Sequence, residues 1–243
     1  MERAYPRYLP AGDQGIVVEF GDTIDPSLNR RVRDLAVAVE RARPPAVVDL
    51  VPTYRSLLVL YDGRLASFDQ VRDALARIEA DADSSPVPPP RVVEMPTCYG
   101  GDLGPDLEFV AAHAGLTPDE VVAIHTGAEY LVYMMGFTPG FTYLGGMSPR
   151  IAAPRLETPR TRIPAGSVGI AQRQTGIYPV DSPGGWQLIG RTPVRLFDPG
   201  RTPPVIVEAG DFVRFVPIDR AAYDELTQTI SRGRYVPPVR DKG

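Results

Sequence analysis

The chain has 243 residues, 43% of them hydrophobic and 23% charged, enough apolar material for one large β domain or two smaller domains. Its formal net charge of −4 offers no basic field for nucleic acid, and no apolar run approaches the roughly 20 residues a membrane helix needs. The single cysteine, Cys98, excludes an internal disulfide, and residues 1–10 lack the apolar core of a signal peptide, so a cytoplasmic location is expected.

Residues 15–20, Gly-Ile-Val-Val-Glu-Phe, predict a strand. Residues 26–43 predict a helix with Asp25 as N-cap and Pro26 in the first turn; Leu28, Val32, Leu35, Ala36 and Val39 follow helical spacing. The apolar runs 47–51 and 56–61 read as two strands, and 68–80 as an amphipathic helix with Val71, Leu75 and Ile78 on one face. The resulting β-α-β-β-α order predicts a small α+β, ferredoxin-like domain over residues 1–82. Polar residues followed by prolines make 83–90 an extended linker.

The second domain, 91–243, opens with a strand at 91–96 and helices at 103–115 and 118–126. The latter has Thr117 as N-cap and Glu120 three residues on, a capping box. From residue 129 short strands alternate with turns, at 130–135, 168–173, 176–180, 186–190, 194–198 and 212–216, before a closing helix at 219–231. That spacing predicts a mainly-β barrel or sandwich.

Residues 136–190 hold ten of the 23 glycines and seven of the 27 prolines, interleaved with Phe137, Phe141, Tyr143, Tyr178 and Trp186. Glycine supplies tight turns, proline fixes φ, and the aromatics have surface to bury, so the tract reads as a rigid loop surface on a β-scaffold. Such surfaces carry binding groups. The guanidinium groups of Arg155, Arg160, Arg162, Arg173 and Arg191 match a carboxylate or phosphate, or else form surface ion pairs. Arg160 is held by its neighbour Pro159, and Arg173 precedes the polar pair Gln174-Thr175. Gly184 and Gly185 can bring backbone N–H groups to an anion, or serve only as a tight turn. Tyr143 and Tyr178 can donate phenolic hydrogen bonds or simply pack. His125 can move a proton near pH 7, or satisfy carbonyls at its helix end. Trp186 reads as a barrel-core plug and Cys98 as a small buried hydrophobe. No Walker A pattern occurs, and two histidines with one cysteine make a zinc site a poor fit.

Together, His125, Tyr130, residues 136–145, Pro159-Arg160, residues 164–168, 174–179 and Ser182-Pro183-Gly184-Gly185-Trp186 resemble the allophanate hydrolase subunit 1 family. That family includes the B-type subunit of 5-oxoprolinase and a sporulation-kinase inhibitor. The resemblance implies a small α+β domain followed by a cyclophilin-like barrel. It also implies a protein inactive alone, working with an allophanate hydrolase subunit 2-type protein (the C-type subunit of 5-oxoprolinase) and an A-type subunit to open 5-oxoproline to glutamate with ATP. ATP, with Mg, would sit in a site shared with the partners and phosphorylate the lactam oxygen. His125 would then transfer a proton, Arg160 and Arg173 bind the anion, and Gln174 and Thr175 orient it. Two alternatives remain open: a histidine-kinase inhibitor, and a carboxyltransferase component of a urea-carboxylase-like system.

Overall fold

A computed structural model describes residues 4–82, 89–233 and 235–242. The chain divides into two compact units, Met1–Pro89 and Pro90–Gly243. Residues 83–88 of the expected linker lie outside the described residues.

The first unit runs β1 (Arg7–Pro10), β2 (Gly15–Glu19), α1 (Pro26–Ala42), β3 (Val47–Pro52), β4 (Ser56–Tyr61) and α2 (Phe68–Ala82). Its sheet has the order β1-β2-β4-β3 with every pair antiparallel. The split β-α-β arrangement is therefore present, with β1 added at the edge of β2. β1 escapes sequence reading because it is four residues long and ends in proline. Asp25 caps α1 as expected, accepting from the Ser27 amide at 2.7 Å. Val32, Leu35 and Val39 of α1 and Leu75 of α2 pack with Ile16, Val18, Leu57 and Val59 of the sheet into one core.

In the second unit, β5 (Arg91–Tyr99), β6 (Glu129–Met135), β7 (Thr142–Gly145), β9 (Ser167–Ala171), β10 (Gln174–Ile177), β12 (Gln187–Arg191) and β13 (Phe212–Pro217) follow the order β12-β9-β10-β7-β6-β13-β5. β12 also pairs with β5, which closes a seven-strand barrel. β13 and β5 run parallel, so the barrel is mixed. A three-residue strand, β14 (Val239–Asp241), pairs with the start of β5, and β8 (Arg160–Ile163) pairs with β11 (Ser182–Gly184) in a separate ribbon. Helices α3 (Leu107–Ala114), α4 (Pro118–Thr126) and α5 (Arg220–Ser231) complete the unit. The Thr117–Glu120 capping box is present at α4. The fold is thus a small α+β domain followed by a mainly-β, cyclophilin-like barrel.

Two expected elements differ. The helix expected at 103–115 begins only at Leu107. Pro105 disfavours helical backbone at Gly104, where an added Cβ would lie 2.1 Å from the Ile189 carbonyl oxygen. The strand expected at 194–198 is reduced to a single bridge, Phe197 with Val205. Here a side chain replaces the ladder: the Arg201 guanidinium donates to the carbonyls of Leu196 at 2.9 Å and Pro204 at 3.0 Å.

Barrel closure passes through Gly190, which pairs with Tyr99 on β5. A Cβ there would lie 2.7 Å from the Cys98 carbonyl oxygen and 3.1 Å from both Thr97 and Tyr99 side-chain atoms. Gly190→Ala is expected to cost about 2–3 kcal/mol and lower the melting temperature by roughly 5–10 °C. An unchanged melting curve would show that the seam tolerates a side chain and that close approach is not what holds it.

Candidate functional site

The loop between β6 and β7 folds back on itself. The Thr138 amide donates to the Gly136 carbonyl at 2.8 Å, and the Phe141 amide to the Thr138 carbonyl at 3.0 Å. Phe137 takes a left-handed backbone, φ +67°, uncommon for a bulky side chain. Gly140, φ +81°, lies so close to Phe197 that a Cβ would meet its Cβ at 2.8 Å. These turns drive the Phe141 ring inward. It meets Phe137, Tyr143, Tyr178 and Trp186 edge-on, with centroids 5.2–5.7 Å apart. Phe141 is 3% exposed and Phe137 64%.

This aromatic cluster lies outside the barrel wall. Tyr178, Trp186 and Leu188 pack with Phe141, Ile163 and Ala171, while Ile170, Ile177 and Ile189 belong to the barrel interior. Trp186 is therefore buried, as expected, but as part of an outer cluster and not as a barrel plug. The pleat explains the split, since neighbouring residues of a strand face opposite sides.

A cleft of about 450 Å³ opens over this cluster. Four of the expected binding residues, Tyr143, Tyr178, Gly184 and Gly185, line it together. Arg155, exposed, joins them at the mouth. Burial pushes the Tyr178 hydroxyl up to about 12, opposed by a hydrogen bond from the Trp186 backbone and the charges of Arg155 and Arg160. A Cβ on Gly184 would sit 2.4 Å from the Tyr178 hydroxyl oxygen, so glycine is what lets that hydroxyl lie against the loop.

Arg160 has a different role from the anion binder expected. It donates to Asp106 at 2.8 Å and toward the Trp186 carbonyl at 3.4 Å. The other Asp106 oxygen accepts from the Leu188 amide at 2.7 Å. The pair braces the Trp186 wall, and an engaged guanidinium is a weaker partner for an incoming anion. Sequence reading missed Asp106, whose only local sign was its place just before a helix.

His125 is fully buried inside the barrel, away from the loop surface. Its Nε2 meets the Thr175 hydroxyl at 2.8 Å and its Nδ1 the Tyr99 hydroxyl at 2.8 Å. Thr175 donates to the Gly169 carbonyl at 3.1 Å, so its oxygen accepts from Nε2–H, and Nδ1 accepts from Tyr99. The Phe215 ring lies 4.4 Å from the imidazole centroid. Burial holds the imidazole down at about 3. This placement is ill suited to the proton transfer expected of His125: both nitrogens are occupied, and burial disfavours the charged ring. Thr175, expected to orient substrate, belongs to the same buried network. Arg173 and Gln174 sit at the turn of the β9–β10 hairpin, where Gln172 has φ +54°, and neither is among the cleft-lining residues.

A family model described as "Carboxyltransferase domain, subdomain C and D" matches residues 6–207. The chain belongs to that carboxyltransferase family. Its membership agrees with the allophanate hydrolase subunit 1 resemblance of the motifs. Within the family, the chain is 48% identical over 223 residues to the 5-oxoprolinase B-type subunit of Bacillus subtilis, covering 87% of this chain and 92% of that protein. It is 40% identical to the 5-oxoprolinase B-type subunit of Escherichia coli O157:H7, covering 89% and 97%. Among solved structures, the urea amidolyase of Kluyveromyces lactis superposes with a TM-score of 0.78 at 21% identity, covering 97% of this chain but 16% of that one, which shows a shared fold.

Two outcomes follow from the placement of His125 and Phe141. An imidazole held down at about 3 when folded takes up a proton near 6.5 when unfolded, so stability is full above 6.5 and falls as pH drops toward 3. Between pH 7 and 5, urea denaturation should show the parent losing about 2 kcal/mol more than His125→Gln. Equal losses in the two proteins would mean the imidazole is not held neutral. Phe141→Ala should lower the melting temperature of the isolated chain through a cost of about 3–5 kcal/mol; no change there would contradict its place at the hub of the cluster.

Proposed function

We infer that this chain is the B-type subunit of an ATP-dependent 5-oxoprolinase, opening 5-oxo-L-proline to L-glutamate with a C-type partner (an allophanate hydrolase subunit 2-type protein) and an A-type partner. The observation that carries this is the 48% identity to a 5-oxoprolinase B-type subunit over 92% of that protein's length. The urea amidolyase likeness, at 21% identity, supports the fold and does not extend a substrate to this chain.

The lactam of 5-oxoproline is a stable amide, and opening it needs a polarised carbonyl and a delivered water. The cleft is suited to the binding half of that task. Aromatic walls exclude water, the Tyr178 hydroxyl can donate a hydrogen bond, and Arg155 brings positive charge to the mouth. The lining of this cleft does not by itself fit a magnesium nucleotide. Among the described residues no group of three or more His, Cys, Asp or Glu is placed to hold a metal ion, and the cleft walls are aromatic rings, not a phosphate-cradling loop. ATP is therefore assigned to the assembled complex, and no step is routed through it here.

Reconstitution tests the reading. The three proteins, mixed, should form glutamate from 5-oxoproline with ATP consumed, and omitting this chain should abolish the reaction. The chain alone should be inactive. Turnover that is unchanged on omission would remove the assignment.

A further inference from the structure

The cleft holds a more specific set of groups than its apolar walls suggest. Arg160 is held by Asp106 at 2.8 Å, whereas Arg155 is exposed and lines the mouth. Arg155 and Tyr178 both line this cleft. The Trp186 backbone hydrogen bond falls on the Tyr178 oxygen, which leaves the phenolic proton to point elsewhere. A hydroxyl pushed up to about 12 keeps that proton throughout the neutral range. A cation and a neutral donor lining one aromatic-walled cleft match a ligand that carries both a carboxylate and a carbonyl oxygen. The flat sides of such a ligand would be covered by Phe137, Tyr143 and Trp186.

We propose that this cleft is a binding site for a small planar amide bearing a carboxylate, with Arg155 holding the carboxylate and the Tyr178 hydroxyl donating to the amide oxygen. The inference rests on the 5-oxoprolinase reading for its choice of acid, 5-oxoproline. Arg155 then sets specificity, since a ligand without the carboxylate leaves the guanidinium unmatched. The Asp106–Arg160 pair acts as a positioning device. It touches no ligand but fixes the Trp186–Leu188 segment against which the ligand lies.

Trp186 is the chain's single tryptophan and lines the cleft, so its fluorescence reports occupancy directly. The intact chain is titrated with 5-oxoproline and with 2-pyrrolidinone, the same lactam without the carboxylate. A saturable change is expected with 5-oxoproline. Arg155→Met should weaken that binding about ten- to hundred-fold while leaving 2-pyrrolidinone binding and the melting temperature unchanged. Arg155→Lys should restore part of the loss. Tyr178→Phe should weaken both ligands alike, because both carry the amide oxygen. No saturable Trp186 response, or equal 5-oxoproline affinity in Arg155→Met and the parent, overturns the proposal. The two readings fail separately. A chain essential for turnover in the reconstituted complex but silent at Trp186 keeps the 5-oxoprolinase assignment and loses the subsite. A responsive chain that the complex does not need keeps the subsite and loses the assignment.

Discussion

The second unit depends on how tightly residues 185–191 are tied into its surroundings. The Gly185 carbonyl accepts from the Leu156 amide at 2.7 Å, and Gln187 donates its side-chain amide to the Pro154 carbonyl at 2.9 Å. Leu188 is gripped from both sides of its peptide: its amide by the Asp106 carboxylate at 2.7 Å, its carbonyl by the Asp106 amide at 2.8 Å. The Ile189 carbonyl accepts from the Gly100 amide at 3.0 Å, and Gly190 and Arg191 close the barrel against β5. One strand therefore serves as the seam of the barrel and, one residue before its start, as a wall of the cleft. A register slip in β12 would open the barrel and turn its outer-facing residues inward, because the side-chain period of a strand is two.

That shared wall separates two polar arrangements with opposite requirements. Inside, His125, Tyr99 and Thr175 satisfy one another without solvent, and burial pushes the Tyr99 hydroxyl well above its ordinary range while pushing the imidazole down. Every such group needs a partner, since an unmatched buried donor costs about 1–3 kcal/mol. Outside, Tyr178 and Arg155 meet a space open to a ligand. Thr175 and Tyr178 are three residues apart, yet they belong to different networks. Strand geometry and the end of β10 at Ile177 decide this, not chemical type.

The same point explains what was legible in the sequence. Long periodic elements were: α1, α2 and α4 sit where their spacing and caps put them, and β5, β6 and β13 overlap their expected runs. The glycine-rich tract, read as a loop surface, also supplies β7 to β12, and Tyr143, Tyr178, Gly184 and Gly185 gather at one cleft along it. Strands of three or four residues such as β1, β7, β11 and β14 carry too few side chains to show an alternation. His125 was misplaced because a motif histidine at a helix end looks the same whether the helix presents it to solvent or to the barrel. Arg160 and Asp106 are 54 residues apart, so their pairing has no local signal at all. Arg155 is one of five arginines and is passed over for Arg160 and Arg173, because nothing local to its sequence marks the place at the cleft mouth to which the fold brings it.

The cleft is also chemically one-sided, and this limits the chemistry its own lining can carry. Its lining contains an arginine and two tyrosines, and neither a carboxylate nor a histidine. The lining can therefore hold an anion and polarise a carbonyl. It has no group suited to accept a proton near pH 7: burial pushes the Tyr178 hydroxyl up to about 12, and the His125 imidazole is sealed in the barrel with both nitrogens engaged. Efficient proton transfer requires a group whose pKa lies near the working pH and within about 3 Å of the proton it takes. Hydrolysis of an amide held in this cleft thus needs a base, and an activated water, from beyond this lining. The lining is therefore built to bind and orient an amide, and the proton acceptor has to come from a group that does not line it.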